Sequence, residues 1–176
     1  MDFIVGYDLK RFEEYYRTLH DLHEYYSSIG TREATFHELG TDELNHIERD
    51  PKHLILWKDS DTIIGHTIWH ETTTDEMIPG DPRDDEDKSA LYSLFEGARD
   101  NLVELHELWL RTEYRGKGYG EQFFDFFEKF ALKEGFEGVV YYSENPSAIS
   151  ICRRRGYKEA QVSLEGKSWY VFTKVL

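Results

Sequence analysis

Between Leu105 and Ala131 the hydrophobic period of the chain changes, and the change falls on a run of glycines. Leu105-His106-Glu107-Leu108-Trp109-Leu110 is rich in branched and aromatic residues, which suits a strand. Phe123, Phe124, Phe127, Phe130 and Ala131 recur at three- and four-residue steps, which places them on one face of a helix. Between the two lie Gly116, Gly118 and Gly120, three glycines within five residues. The stretch therefore predicts a strand, a glycine turn and a helix. Backbone N–H groups in such a turn have no side-chain cover and sit at the positive end of a helix dipole. That is an anion site, and a pyrophosphate suits it.

The glycine spacing narrows the ligand. A dinucleotide fingerprint needs wider spacing, an early βαβ unit and a later acid for ribose. A nucleotide-hydrolase phosphate loop needs Ser or Thr after Gly-Lys, and Gly118 follows Lys117 here. Arg115-x-x-Gly118-x-Gly120 instead resembles the coenzyme A pyrophosphate loop of the GCN5-related N-acetyltransferase (GNAT) superfamily. Leu108-Trp109-Leu110-Arg111-Thr112-Glu113-Tyr114 is similar to the strand-to-loop entry of that family. Downstream, Val139-Val140-Tyr141-Tyr142 reads as a buried strand, and Asn145-Pro146 starts a helix that ends at Arg155-Gly156-Tyr157. Asn145 suits the N-cap, Pro146 the first turn and Gly156 the position after the helix. The Asn-x-x-Ala…Gly-Tyr pattern is similar to the family's second motif.

The resemblance implies an α/β (α+β) GNAT fold. Its central sheet is mixed, mostly antiparallel and twisted, with about seven strands, flanking helices and a V-shaped splay between the fourth and fifth strands. It also implies acetyl-CoA as co-substrate. The pyrophosphate would then meet Arg115, Gly116, Lys117, Gly118, Tyr119 and Gly120. Backbone groups of Leu108, Trp109 and Leu110 would hold the thioester carbonyl and the pantetheine arm, which Asn145 and Ser147 would also touch.

Composition sets bounds on partners and location. The 176 residues fit one domain, expected over 1–176, and neither repeat nor linker interrupts them. A net charge of −14 argues against nucleic-acid binding, which needs a basic face, and is compatible with a cationic acceptor. No apolar run approaches the ~20 residues of a membrane span. Met1-Asp2-Phe3-Ile4 lacks the features of a secretory signal, and Cys152 is the only cysteine. A cytoplasmic protein without membrane or nucleic-acid partners is expected. The aromatic C-terminal strands suggest a homodimer.

Along the chain, Phe3 to Tyr7 reads as a strand. Asp8 caps one long helix carrying Leu9, Phe12, Tyr16, Leu19, Leu22 and Tyr26, and a second helix opens at Thr41-Asp42-Glu43. His53–Trp57 and Thr62–Trp69 form a hairpin about Asp59-Ser60-Asp61. Residues 71–103 read as an insertion: an acidic loop from Thr72 to Lys88, then a helix through Ala90, Leu91, Leu94, Phe95 and Ala98. The insertion is either a surface excursion tucked on the sheet edge or a wall of the acceptor pocket. Lys158–Leu164 and Trp169–Val175 close the sheet about Glu165-Gly166-Lys167.

Amide formation needs a neutral amine, a polarised carbonyl and a proton for the leaving thiolate. An amine of pKa ~10 is mostly protonated at pH 7, so a base helps. Glu104 stands six residues before Leu110, where the resemblance implies a glutamate base. Glu107 is the second candidate, on the opposite side by alternation, and His106 shares a face with Glu104. The helix position that holds the family's tyrosine acid carries Cys152, a departure that makes its thiol the candidate acid, with Tyr141, Tyr142, Tyr157 or solvent as substitutes. No metal is expected, since His66 and His70 have no third ligand of recognisable spacing. The function implied is acetyl transfer to a primary amine, either a small cationic amine or a lysine or N-terminal amine. The alternative is a coenzyme A-binding sensor without turnover.

Overall fold

The computed structural model of the chain describes residues 1–6, 9–28, 50–164 and 166–176. Seven strands form one sheet in the order β1 (Asp2–Val5), β2 (Leu54–Asp59), β3 (Thr62–Thr72), β6 (Leu102–Leu110), β7 (Gly138–Ser143), β9 (Lys167–Val175), β8 (Lys158–Leu164). The short β4 (Glu76–Ile78) and β5 (Asp81–Pro82) pair with each other separately. Helices α1 (Leu9–Tyr16), α2 (His20–Ser28), α3 (Asp85–Phe95), α4 (Tyr119–Glu134) and α5 (Pro146–Arg154) flank the main sheet. The β6–β7 pair is parallel, while β1–β2, β2–β3, β7–β9 and β8–β9 are antiparallel. This is the mixed, mostly antiparallel sheet anticipated above. The β6–β7 ladder joins residues 102–105 to 138–141, and residues 106–110 of β6 lie beyond it.

The chain forms two compact units, residues 1–68 with 107–117 and residues 69–106 with 118–176. In the first, Phe12, Tyr16, Leu19 and Leu22 pack with Leu54, Leu56 and Ile68, and Trp109 joins them from β6. The helical periodicity over this N-terminal stretch is real, but one long helix is not formed. The ladder breaks at Arg17–Leu19, where the Thr18 hydroxyl donates to the Tyr15 carbonyl at 2.7 Å and so competes with the next helical turn. The expected caps and contacts at Asp8 and Tyr26, and the helix from Thr41, lie outside the described residues and side chains.

The second unit carries the insertion. The predicted loop from Thr72 to Lys88 is more ordered than its composition suggests: β3 extends to Thr72, β4 and β5 turn through Gly80, and α3 begins at Asp85. Asp84 caps α3, its Oδ1 accepting from the Asp87 N–H at 2.8 Å, and Asp85, Glu86 and Asp87 fill the first turn, where the helix dipole favours acids. The helix stops at Phe95, short of Ala98, because Glu96 turns left-handed at φ 60°. Leu91 and Phe95 pack against Leu102, Val140, Val162 and Val171, which sets α3 on the sheet. No helix among the described residues is long and apolar enough to cross a membrane.

Candidate functional site

The glycine loop has the local geometry its composition demands. Gly116 and Gly118 sit at φ +74° and +80°, and nothing stands within 4 Å of where a Cβ would be at either. Their need for glycine is therefore conformational rather than steric. α4 opens directly behind Gly118 with no side-chain cap, so its first N–H groups point outward. Gly120 has a different reason to be glycine: a Cβ there would meet Ile151 Cδ1 at 2.8 Å, so it lets α4 and α5 approach closely. Arg115 folds back on β6, donating from Nε to the Leu110 carbonyl at 2.9 Å with its guanidinium 4.7 Å from the Trp109 ring centroid. Lys117 lies over Tyr114 at 5.1 Å.

Leu108, Trp109 and Leu110 occupy the part of β6 beyond the parallel ladder, and all three are half-buried. Gly65 of β3 makes room for them: a Cβ there would come within 2.6 Å of the Trp109 carbonyl. Asn145 caps α5 as expected, its Oδ1 accepting from the N–H groups of Ser147 at 2.9 Å and Ala148 at 3.3 Å. At the other end Gly156 is left-handed at φ +76°. The arginines there are matched with carboxylates: Arg153 with Glu159, Arg154 with Glu121, and Arg155 with Glu128 and Asp125.

Glu104 and Glu107 fall into different settings. Glu104 is buried, and its Oε2 accepts from Arg83 at 2.9 Å. Arg83, contributed by the insertion, spends all its donors there. Nε reaches the Thr73 carbonyl, Nη1 reaches Asp87 and the Tyr142 hydroxyl at 2.8 Å each, and Nη2 reaches Thr72 at 2.5 Å as well as Glu104. Tyr142 in turn donates to Asp87 Oδ1 at 2.5 Å. Burial alone would lower the Arg83 pKa, but the charges of Glu104 and Asp87 outweigh it and hold the guanidinium above its ordinary value. Burial pushes the Tyr142 phenol upward as well. Glu104, the favoured base on sequence grounds, is thus an ion-pair partner in a buried network. Local periodicity carried no sign of this, because Arg83 stands 21 residues away in an acidic segment.

Glu107 makes a short hydrogen bond to His66 Nε2, and His66 Nδ1 stands 3.1 Å from the Tyr15 hydroxyl. A carboxylate only accepts, so the proton between the pair is assigned to Nε2 and the Tyr15 hydroxyl donates to Nδ1. Burial raises the Tyr15 pKa, which keeps that hydroxyl protonated for the task. The result is a directed chain from Tyr15 through His66 to Glu107.

Cys152 is fully buried, and burial, aided by the charge of Glu128, pushes its thiol up to about 12. Such a thiol is a weak acid beside a coenzyme thiol of pKa ~8.5. Its setting is that of a small apolar residue, which disfavours it as the acid. Tyr141 is also buried and raised to about 12, and Tyr157 donates to Glu128 at 3.1 Å.

Spacing along the chain shows no third ligand beside the histidines of β3, yet the fold supplies two. His70, Glu104 and His106 bring one donor atom each to within 4.8 Å of one another. Glu104 and His106 are two apart on one strand face, a spacing visible in the sequence, while His70 comes from β3. His66 does not join them, because its ring is engaged with Tyr15 and Glu107.

Residues 14–157 match the family model described as the Acetyltransferase (GNAT) family. Among curated proteins, none matches the sequence. Solved structures agree in fold. A mosquito arylalkylamine N-acetyltransferase like 5b superposes with TM-score 0.70 at 15% identity, over 99% of both chains. The ribosomal-protein-alanine N-acetyltransferase of Brucella melitensis gives 0.64 at 16%, over 100% of both. A structure of the NatC complex bound to Gag peptide and CoA gives 0.61 at 12%, over 100% of this chain and 99% of that one.

Proposed function

The chain belongs to the GNAT acetyltransferase family, and from that premise we propose that it transfers the acetyl group of acetyl-CoA to a primary amine. The observation that carries the reading is the glycine loop: two left-handed glycines lead into an uncapped helix start, where an anion finds aligned N–H donors. In this reading residues 115–120 receive the coenzyme pyrophosphate, with Gly120 serving chiefly the α4–α5 approach. Backbone groups of Leu108, Trp109 and Leu110 receive the thioester carbonyl, and Asn145 and Ser147 line the pantetheine arm while capping α5.

Glu107 is the carboxylate we assign to take a proton from the acceptor ammonium, which frees the amine lone pair for attack. The reason is the settings described above: Glu104 is ion-paired to a saturated guanidinium, whereas Glu107 accepts from the His66 ring. The neutral amine nitrogen attacks the thioester carbon, the C–S bond breaks as the adduct collapses, the nitrogen gives its excess proton to solvent, and the thiolate leaves to be protonated by solvent. No buried thiol or phenol of the second unit is needed as an acid. The acidic surface favours a cationic acceptor, such as a small polyamine or a peptide amine.

The test is coenzyme thiol release with a panel of polyamines, arylalkylamines, aminoglycosides, amino acids and short peptides. Acceptor-dependent release is expected. Tight coenzyme binding with no release over the whole panel would favour the sensor. Absence of coenzyme binding would overturn the assignment of the loop.

A further inference from the structure

The buried network around Arg83 is short of positive charge. Arg83 faces two carboxylates, Asp87 and Glu104, and all three side chains are almost wholly buried. Two buried carboxylates thus share one guanidinium, which leaves the Glu104 end of the network suited to a further cation. The next groups against Glu104 are His70 and His106.

His70 is oriented by the backbone. Its Nδ1 lies 2.9 Å from the Glu71 carbonyl, which can only accept, so Nδ1 carries a proton. Nε2 then faces Glu104 Oε1 at 3.7 Å. In a tetrahedral site with bonds of about 2.0–2.1 Å, two ligand atoms stand about 3.4 Å apart, close to the His70–Glu104 separation, and the set as a whole, within 4.8 Å, closes by side-chain rotation. His106, exposed on the same strand face as Glu104, supplies the third donor, and its ring centroid lies 5.5 Å from that of His70.

We infer that His70, Glu104 and His106 bind one divalent transition-metal ion of the zinc class. The donor set, two imidazoles and a carboxylate, suits such an ion and not calcium or magnesium. Two of the three ligands already have supporting partners: the Glu71 carbonyl orients His70, and Arg83 holds the second oxygen of Glu104. The ion sets positive charge against the two carboxylates of the network, and the exposed side of His106 leaves a coordination position open to water or a ligand. The site is independent of the acetyl-transfer reading, because none of its three residues is assigned a step there.

The test uses the tag-free, metal-stripped full chain without acetyl-CoA, titrated with Co²⁺ and read by its visible d–d absorption, followed by displacement with Zn²⁺. One saturable equivalent is expected. His106→Ala, on an exposed side chain that the fold does not need, should weaken binding at least ~10- to 100-fold. The double variant His20→Ala/His23→Ala, which removes another close histidine pair, should leave it unchanged. Absence of saturable binding, or binding lost with His20 and His23 but kept without His106, would overturn the site. So would an imidazolium NMR signature for His70 that Zn²⁺ does not alter.

Discussion

Strands β3 and β6 each contribute to two histidine–glutamate pairs, and the two pairs are anchored differently. In the first unit His66 presents a proton to Glu107, because Tyr15 donates to its other nitrogen. In the second unit His70 gives its Nδ1 proton to the Glu71 carbonyl and turns Nε2 toward Glu104 Oε1 at 3.7 Å. One hydroxyl and one carbonyl therefore decide which pair is a closed hydrogen-bond chain and which is set up for a cation. Identical residue types do not imply identical chemistry; the group behind each imidazole sets its tautomer.

The comparison can be broken most severely at Arg83. Arg83→Met leaves Asp87 and Glu104 as buried carboxylates without their partner, and should cost about 3–5 kcal/mol by denaturant unfolding. A loss below about 1 kcal/mol, the range of an exposed pair, would mean that the network is far more hydrated than its burial implies.

Glu107→Gln comes next. The amide oxygen still accepts from His66, so the hydrogen-bond chain and the fold should persist, while turnover falls about a hundredfold or more. Coenzyme affinity, measured by calorimetry, should stay within roughly twofold of the starting protein, since the loop is untouched. Turnover equal to that of the unmodified chain would remove Glu107 from the mechanism and return attention to Glu104.

Tyr15→Phe should have the smallest effect. It removes one buried hydrogen bond and keeps the ring that packs with Phe12 and His66, so a loss of about 1 kcal/mol in stability is expected. The sharper readout is the His66 ring in nitrogen-correlated NMR, where the Nδ1 resonance should shift once its donor is gone. If both ring nitrogens of this variant resonate where they do in the starting protein, Tyr15 does not set the tautomer. The contrast between the two pairs would then rest on the glutamates alone.

Much of the molecule was legible before folding was considered. The turn at Gly118 and the helix after it followed from glycine spacing and phenylalanine periodicity, since both are local: a left-handed φ needs glycine, and a 3.6-residue period needs one buried face. The Asn145 cap and the Gly156 stop were local in the same sense. The periodicity predicts one continuous N-terminal helix, because it reports which face is buried and not whether Thr18 diverts a carbonyl. The acidic segment predicts a loop because its charges look solvated, yet Arg83 gathers Thr72, Asp87, Glu104 and Tyr142 around one guanidinium.

By itself, then, the amino-acid order determined the family's loop, the helix boundaries around it and the alternation that separates Glu104 from Glu107. Those features depend on interactions within a few residues. Only the tertiary structure decided that Glu104 is held by Arg83, that Glu107 terminates a chain from Tyr15, that Cys152 is wholly buried and that His70 meets Glu104 and His106. Each of these depends on which strand lies beside which and on how far water is excluded, and neither quantity is written in the spacing of residues along one strand.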